Sequence, residues 1–276
     1  MKSNFESINA VCPIYAASDR DRPCLIGTGT LLDFGKARFL VTAAHVHDEY
    51  TENRVAIYAA KAGRLVELPQ PFHTTVVPLS RERNDDRLDF AFVRLPDACA
   101  DEIAEGRCFL PSSLIDADDR LKPRARYMFT GYPGSREKTN YGEKKVKPQC
   151  FSFTGETVSA RRMFSLGTDP ATHIAVEFAR ERVLDEAGQP ACFPRPKGMS
   201  GGAVWSGEGD PHLWLKQTPV HLVGVGIEDP KDQNVLVAVR IHLVLAAIAK
   251  TDPDVREYVP QRHGFVSNIT VNEGLS

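Results

Sequence analysis

The chain has 276 residues, 42% of them hydrophobic and 25% charged, with a formal net charge of −2. That length and apolar content can bury a sizeable core without disulfide staples, and suit one large domain or two small lobes. A near-balanced charge excludes recognition of nucleic acid or of an anionic membrane surface through bulk charge.

The opening Met1-Lys2-Ser3-Asn4-Phe5-Glu6-Ser7 lacks the apolar core of a secretory signal, and no later stretch has the length of a membrane span. A cytoplasmic protein is therefore expected, with a secreted form lacking its leader as the open alternative. The six cysteines, Cys12, Cys24, Cys99, Cys108, Cys150 and Cys192, form no CxxC pair. No zinc or other metal is expected, and in a reducing compartment they are predicted to be free, mostly buried thiols. The sequon Asn268-Ile269-Thr270 means little inside a cell.

Abundant proline and glycine between short apolar runs predict an all-β chain with few helices. Candidate strands in the first half are Val11–Ala16, Leu25–Leu32, Arg38–Thr42, Arg54–Ala59, Leu65–Leu68, Thr74–Val77 and Phe90–Leu95. The stretch Pro96–Arg124 carries Pro96, Pro111 and Pro123 among scattered charges and reads as a connection between two halves. The second half offers Arg126–Thr130, Cys150–Val158, His173–Phe178, Ala203–Trp205, Val220–Ile227 and Val235–Ile241. Helical spacing of Ile241, Leu245 and Ile248 predicts a closing helix over Ile241–Lys250. The division expected is residues 1–110, 111–250 and a tail, 251–276. In the tail, Val255, Tyr258, Val259, Phe265 and Val266 can pack back onto the body or dock on a partner. The basic segment Arg136–Lys147 reads as a solvated loop, with a docking patch for an acidic partner as the other reading.

Three stretches carry the chemistry. Gly198-Met199-Ser200-Gly201-Gly202 holds a serine among glycines, which leaves the hydroxyl uncovered and lets the amides of Gly198 and Ser200 aim at one point. A serine nucleophile needs a histidine to take its proton and usually a carboxylate to orient that histidine. Of eight histidines, His45 stands out, where the strand Phe39-Leu40-Val41-Thr42-Ala43-Ala44 ends in small residues and a tight turn is expected to expose the ring. His47, His73, His173, His212, His221, His242 and His263 read as surface or core-edge residues. Asp89 opens the apolar strand Phe90–Leu95 and is expected at a buried edge, whereas Asp85 and Asp86 lie in a polar run and are expected to face solvent.

These blocks, with Gly27-Thr28-Gly29-Thr30-Leu31-Leu32 ahead of the histidine, occur in the order His, Asp, Ser. In this the chain resembles the trypsin-like (chymotrypsin-fold) serine peptidases, in particular their compact bacterial intracellular branch. The resemblance covers roughly Val11 to Lys250. It implies two packed six-stranded antiparallel β-barrels with a C-terminal helix and a cleft between them. Ser200 would be the nucleophile, His45 the general base and then acid, Asp89 the residue fixing its tautomer, and Gly198 and Ser200 the oxyanion-hole amides. No cofactor is implied.

Met199 departs from the family pattern, which in digestive and clotting members has an aspartate there to pair with a newly cut N-terminus. A methionine cannot form that pair, so the site is either constitutively formed or assembled by another event such as partner binding. The resemblance locates the primary pocket between Ala191–Lys197 and Gly224–Asp229. Pro194 stands where trypsin has its acid, and Gly224, Glu228 and Asp229 are candidates for the wall. The two acids either favour a basic residue at the cleavage site or merely sit in the turn to Pro230.

The expected function is a serine endopeptidase acting on protein or peptide substrates, gated by an activating or target partner or restricted to few substrates. A bacterial antiviral defence or signalling module is the expected setting by analogy. The alternatives are a non-catalytic peptide-binding module on the same fold and a hydrolase of small esters or amides.

Overall fold

The computed structural model describes residues 7–17, 23–51, 56–61, 64–77, 83–118, 125–136, 138–140, 145–181, 183–184, 190–209, 214, 220–228, 233–259 and 269–273. The first half runs β1 (Val11–Ala17), β2 (Pro23–Asp33), β3 (Arg38–Ala43), α1 (Ala44–Thr51), β4 (Ile57–Lys61), β5 (Arg64–Glu67), β6 (His73–Thr75), β7 (Phe90–Leu95), α2 (Asp97–Ala104) and β8 (Leu110–Pro111). There follow β9 (Arg126–Gly131), β10 (Lys138–Asn140), β11 (Lys145–Lys147), β12 (Phe151–Glu156), α3 (Ala160–Ser165), β13 (His173–Glu177), β14 (Val183–Leu184) and β15 (Pro190–Ala191). The chain closes with β16 (Ala203–Gly207), β17 (Val220–Glu228), β18 (Val235–Arg240), α4 (Ile241–Thr251) and β19 (Val271–Glu273).

Two main sheets result. The first has the order β19-β6-β7-β3-β2-β1-β4-β5, antiparallel throughout, with β8 added parallel to β2. The second is the antiparallel six-stranded order β12-β9-β16-β17-β18-β13. Its ends meet: Thr157, one residue past β12, bridges Val176 of β13, and the Val158 N–H donates to Ala175 O at 3.0 Å. The first sheet has nine strands against the six expected. The β4–β5 hairpin extends one edge, and β19 pairs with the otherwise open side of β6, Val271 lying opposite Thr75.

Among the described residues, apolar side chains form three clusters. One fills the first sheet, with Ile14, Leu31, Leu40, Val66, Phe72 and Val93, and another the second, with Tyr127, Phe129, Phe153, Val204 and Leu236. The third draws on both, joining Phe39, Val41 and Phe92 to Trp205, Leu222 and Val225 and to seven residues of α4, Ile241 and Leu243–Ile248. Residues Ile241–Ala249 are all buried, and apart from His242 all are apolar, with Ile241, Leu245 and Ile248 at the helical spacing that made this helix legible.

Several local expectations are corrected. A helix, α2, starts within the presumed connection, where Pro96 fixes the entry and Ala100 and Ile103, one turn apart, are buried. The histidine follows no tight turn, because α1 begins at Ala44 and carries His45 in its first turn. Cys24, Cys108 and Cys192 are exposed, at the start of β2 or in connections, while Cys12 within β1 is buried. In the tail, Val255 and Ile269 are buried and the Tyr258 ring lies 5.1 Å from Phe34, whereas Phe265 and Val266 lie outside the described residues. Most side chains of the basic Arg136–Lys147 segment also lie outside them; β10 and β11 pair there. Among the described residues no helix is long and apolar enough to cross a membrane.

His173, expected at the surface or the core edge, lies inside the fold. It is 2% exposed in β13, with Nε2 at 2.7 Å from Arg87 O in the other half of the chain and Nδ1 at 2.7 Å from the Thr172 hydroxyl. The carbonyl can only accept, so Nε2 carries the proton. Burial, opposed by the bond to Arg87, lowers its pKa. The unfolded chain then takes up a proton first on acidification, and stability is lost as pH falls below about 6.5 toward the lower folded value. Urea midpoints measured between neutral and mildly acidic pH should fall for the wild type and fall less for His173→Gln.

Candidate active site

The serine loop is seated on β2. Gly27, Thr28, Gly29 and Thr30 alternate across that strand, so the two threonines share one face. The other face is crowded: a Cβ on Gly27 would stand 2.5 Å from Val46, and one on Gly29 3.2 Å from Cys12 and Leu40. The threonine face meets the loop. Thr28 N–H donates to Ser200 O at 2.8 Å, Thr28 Oγ1 donates to Gly198 O at 2.7 Å, and Thr30 Oγ1 donates to Gly201 O at 3.0 Å. Thr28 Oγ1 also accepts the Tyr132 N–H at 3.0 Å, while its carbonyl accepts from Thr42 Oγ1 at 2.8 Å. Thr42 belongs to β3, three residues before His45. Gly201, at φ +87°, sits where a Cβ would lie 1.9 Å from Thr28 O, so only glycine allows this approach.

Within the loop, the N–H groups of Met199, Gly201 and Gly202 donate to Pro196 O, Gly226 O and Met199 O. Among the described residues no backbone acceptor takes the N–H of Gly198 or of Ser200. A second segment backs the loop. The Gly134 N–H donates to Lys197 O at 2.9 Å, and the Met199 backbone passes so close to Gly131 that a Cβ there would stand 3.1 Å away. The Met199 side chain is 8% exposed and packs in the apolar cluster of the second sheet. Gly131-Tyr132-Pro133-Gly134 was not singled out from the sequence; its glycine-flanked turn after an apolar strand was the available signal.

The histidine and the acid meet at two points. His45 Nδ1 lies 2.6 Å from Asp89 Oδ2, and the His45 backbone N–H donates to Asp89 Oδ1 at 2.9 Å. The Ala44 N–H also donates to Asp89 O at 3.0 Å. Asp89 adopts φ +40°, a left-handed kink that costs a non-glycine residue about 1–2 kcal/mol and that aspartate tolerates better than most. The bonds to α1 offset that cost. The Asp89 side chain is 12% exposed and the imidazole 38%. Burial raises the Asp89 carboxyl above the usual range while the His45 donors pull it down. With a carboxylate as acceptor, Nδ1 carries the proton and Nε2 keeps its lone pair.

Asp85 is exposed, but Asp86 is not solvent-facing: its side chain is 6% exposed and paired with Arg83. Beside Ser200 a cavity of about 30 Å³ is lined by Phe129, Met199, Ile227, Leu236 and Val237 together with Pro196 and Gly226, with no charged residue among them. Pro194, buried, and Gly224, within β17, do not line it; the side chain of Glu228 and the whole of Asp229 lie outside the described residues.

The sequence matches no protein-family model and no curated protein. Solved structures do match. Neuropsin, a serine protease expressed in the limbic system of mouse brain, is 13% identical at a TM-score of 0.54, the alignment covering 91% of this chain and 96% of neuropsin. GrC is 12% identical at 0.53, covering 91% and 96%, and the scabies mite inactivated protease paralogue S-I1 is 14% identical at 0.52, covering 91% and 97%. The chain has a chymotrypsin-like fold. A protease and an inactivated paralogue match this fold equally well, so its backbone does not decide activity and its side chains must.

The Thr28 hydroxyl serves the site from full burial. Replacing it with a methyl in Thr28→Val strands Gly198 O and the Tyr132 N–H. Urea denaturation should report a loss of about 2–4 kcal/mol, with Thr28→Ser close to wild type.

Proposed function

We propose that the protein is a serine endopeptidase. The observation that carries this reading is the Asp89 carboxylate, which meets both the ring and the backbone of His45 and leaves Nε2 the basic nitrogen of the ring. Ser200 Oγ attacks the scissile carbonyl as His45 Nε2 takes its proton. The amides of Gly198 and Ser200 stabilise the developing oxyanion; loss of one such donor costs about two to three orders of magnitude. The imidazolium, steadied by Asp89, gives its proton to the leaving amine, and water then hydrolyses the acyl-enzyme with His45 again as base.

Met199 favours a constitutively formed site. In place of an ion pair, apolar packing and the bonds to Thr28, Thr30, Gly134 and Gly226 hold the loop, so activity needs no newly cut N-terminus. Restriction then comes from the small apolar cavity, which fits a small apolar residue on the acyl side of the scissile bond and has no described counter-charge for arginine or lysine.

A fluorophosphonate should label the wild-type protein at Ser200, and Ser200→Ala and His45→Ala should lower kcat on a cleaved peptide by at least about 10⁴-fold. Absence of labelling sinks the catalytic reading in favour of a peptide-binding module; labelling without cleavage of any peptide points to a small-ester hydrolase instead.

A peptide library should select alanine- or valine-sized residues at the cleavage site, and Leu236→Ala should shift that preference toward larger apolar ones. Selection of arginine or lysine by the wild type would contradict the cavity's role.

A further inference from the structure

His45 and Asp89 are joined a second time, at one remove. Asp48 stands three residues beyond His45 in α1, and Asp86 three residues before Asp89. Arg83 lies between these two carboxylates. Its Nε donates to Asp48 Oδ2 at 2.6 Å, and its Nη2 donates to the same oxygen. Its Nη1 donates to Asp86 Oδ2 at 2.7 Å and to Thr75 O at 2.8 Å. Asp86 in turn accepts from the Thr75 hydroxyl and, through Oδ1, from the Leu88 N–H at 3.0 Å, and the Phe90 N–H donates to Thr75 Oγ1 at 3.3 Å. One guanidinium thus reaches α1, β6 and the loop that delivers Asp89 into β7.

We propose that Arg83 is a positioning residue for the His45–Asp89 pair, an outer brace that sets the distance between α1 and the Asp89 loop. The proposal rests on reading His45 as general base and Asp89 as its orienting acid. A planar fork addresses two carboxylates in fixed directions, which a lysine ammonium does not. Its partners are shielded, since the side chains of Arg83, Asp48 and Asp86 are 20%, 24% and 6% exposed. Without the cation, two carboxylates face each other across the seam and their repulsion drives α1 from the loop. The inner contact tolerates little displacement, because a misplacement of about 1 Å in a catalytic group costs about 100-fold in rate. A simple fold staple would lower the melting temperature and leave the ring contact intact in the molecules that remain folded.

The test is proton NMR of the His45 Nδ1–H, identified by its absence in His45→Ala, alongside peptide kinetics. The expected result for Arg83→Ala is a broadened or lost signal and a kcat lowered about 10- to 100-fold with KM within about twofold, and for Arg83→Lys partial recovery of both. If Arg83→Ala does not fold, Asp86→Asn, which keeps an acceptor but removes the charge, should show the smaller version of the same change. Signal and kcat unchanged in folded Arg83→Ala, with only a lower melting temperature, overturn the brace. A wild type that keeps the signal but cleaves no peptide, while Arg83→Ala loses it, sinks the peptidase reading and supports the brace. A wild type without the signal overturns both.

Discussion

The candidate site depends on one hydroxyl group. Thr28 Oγ1 donates to the serine loop and accepts from the segment that backs it, and the flanking amide and carbonyl of the same residue tie Ser200 to Thr42. Over much of their contact the two sheets meet through apolar side chains, which fix no register to better than the play of their packing. Here they meet through directional bonds in a buried setting, where an unmade bond is expensive. The chain thereby gains a rigid joint between the Ser200 loop and the strand that leads to His45.

Around that joint, polar groups are spent in pairs. Asp89 uses both oxygens on one residue, and Arg83 uses its fork on two aspartates, so α1 is held from the inside by a carboxylate and from the outside by a cation. His173 adds a third hold, reaching from the second sheet to Arg87, two residues ahead of Asp89. The left-handed kink at Asp89 is sustained by this surrounding network rather than by its own preference.

What the sequence made legible follows from how local each signal is. The serine loop, the histidine after a β-strand and the acid before one are each written in a few adjacent residues, and so is the buried helix Ile241–Thr251. Most strands were legible for the same reason, though not the β19 addition, because pairing between Thr75 and Val271 leaves no mark in either segment. The burial of Asp86 leaves no mark in the sequence, because its neighbours along the chain are polar while its neighbours in space close over it. The cavity beside Ser200 takes Pro196, Gly226 and Ile227 from the two segments expected to flank it, though not Pro194 or Gly224; its other walls come from β9, β18 and Met199, whose meeting only the fold defines.

The pairing of β19 with β6 also has a temporal side. During synthesis, His45, Asp89 and Ser200 all emerge before Val271, so β6 gains its second neighbour only after the three candidate residues exist. Until then β6, adjacent to the strand that follows Asp89, presents a bare edge, and bare edges recruit whatever strand is nearby. Contacts between such distant positions are also the slow ones to form. The border of β6 therefore rests on the last described strand of the chain.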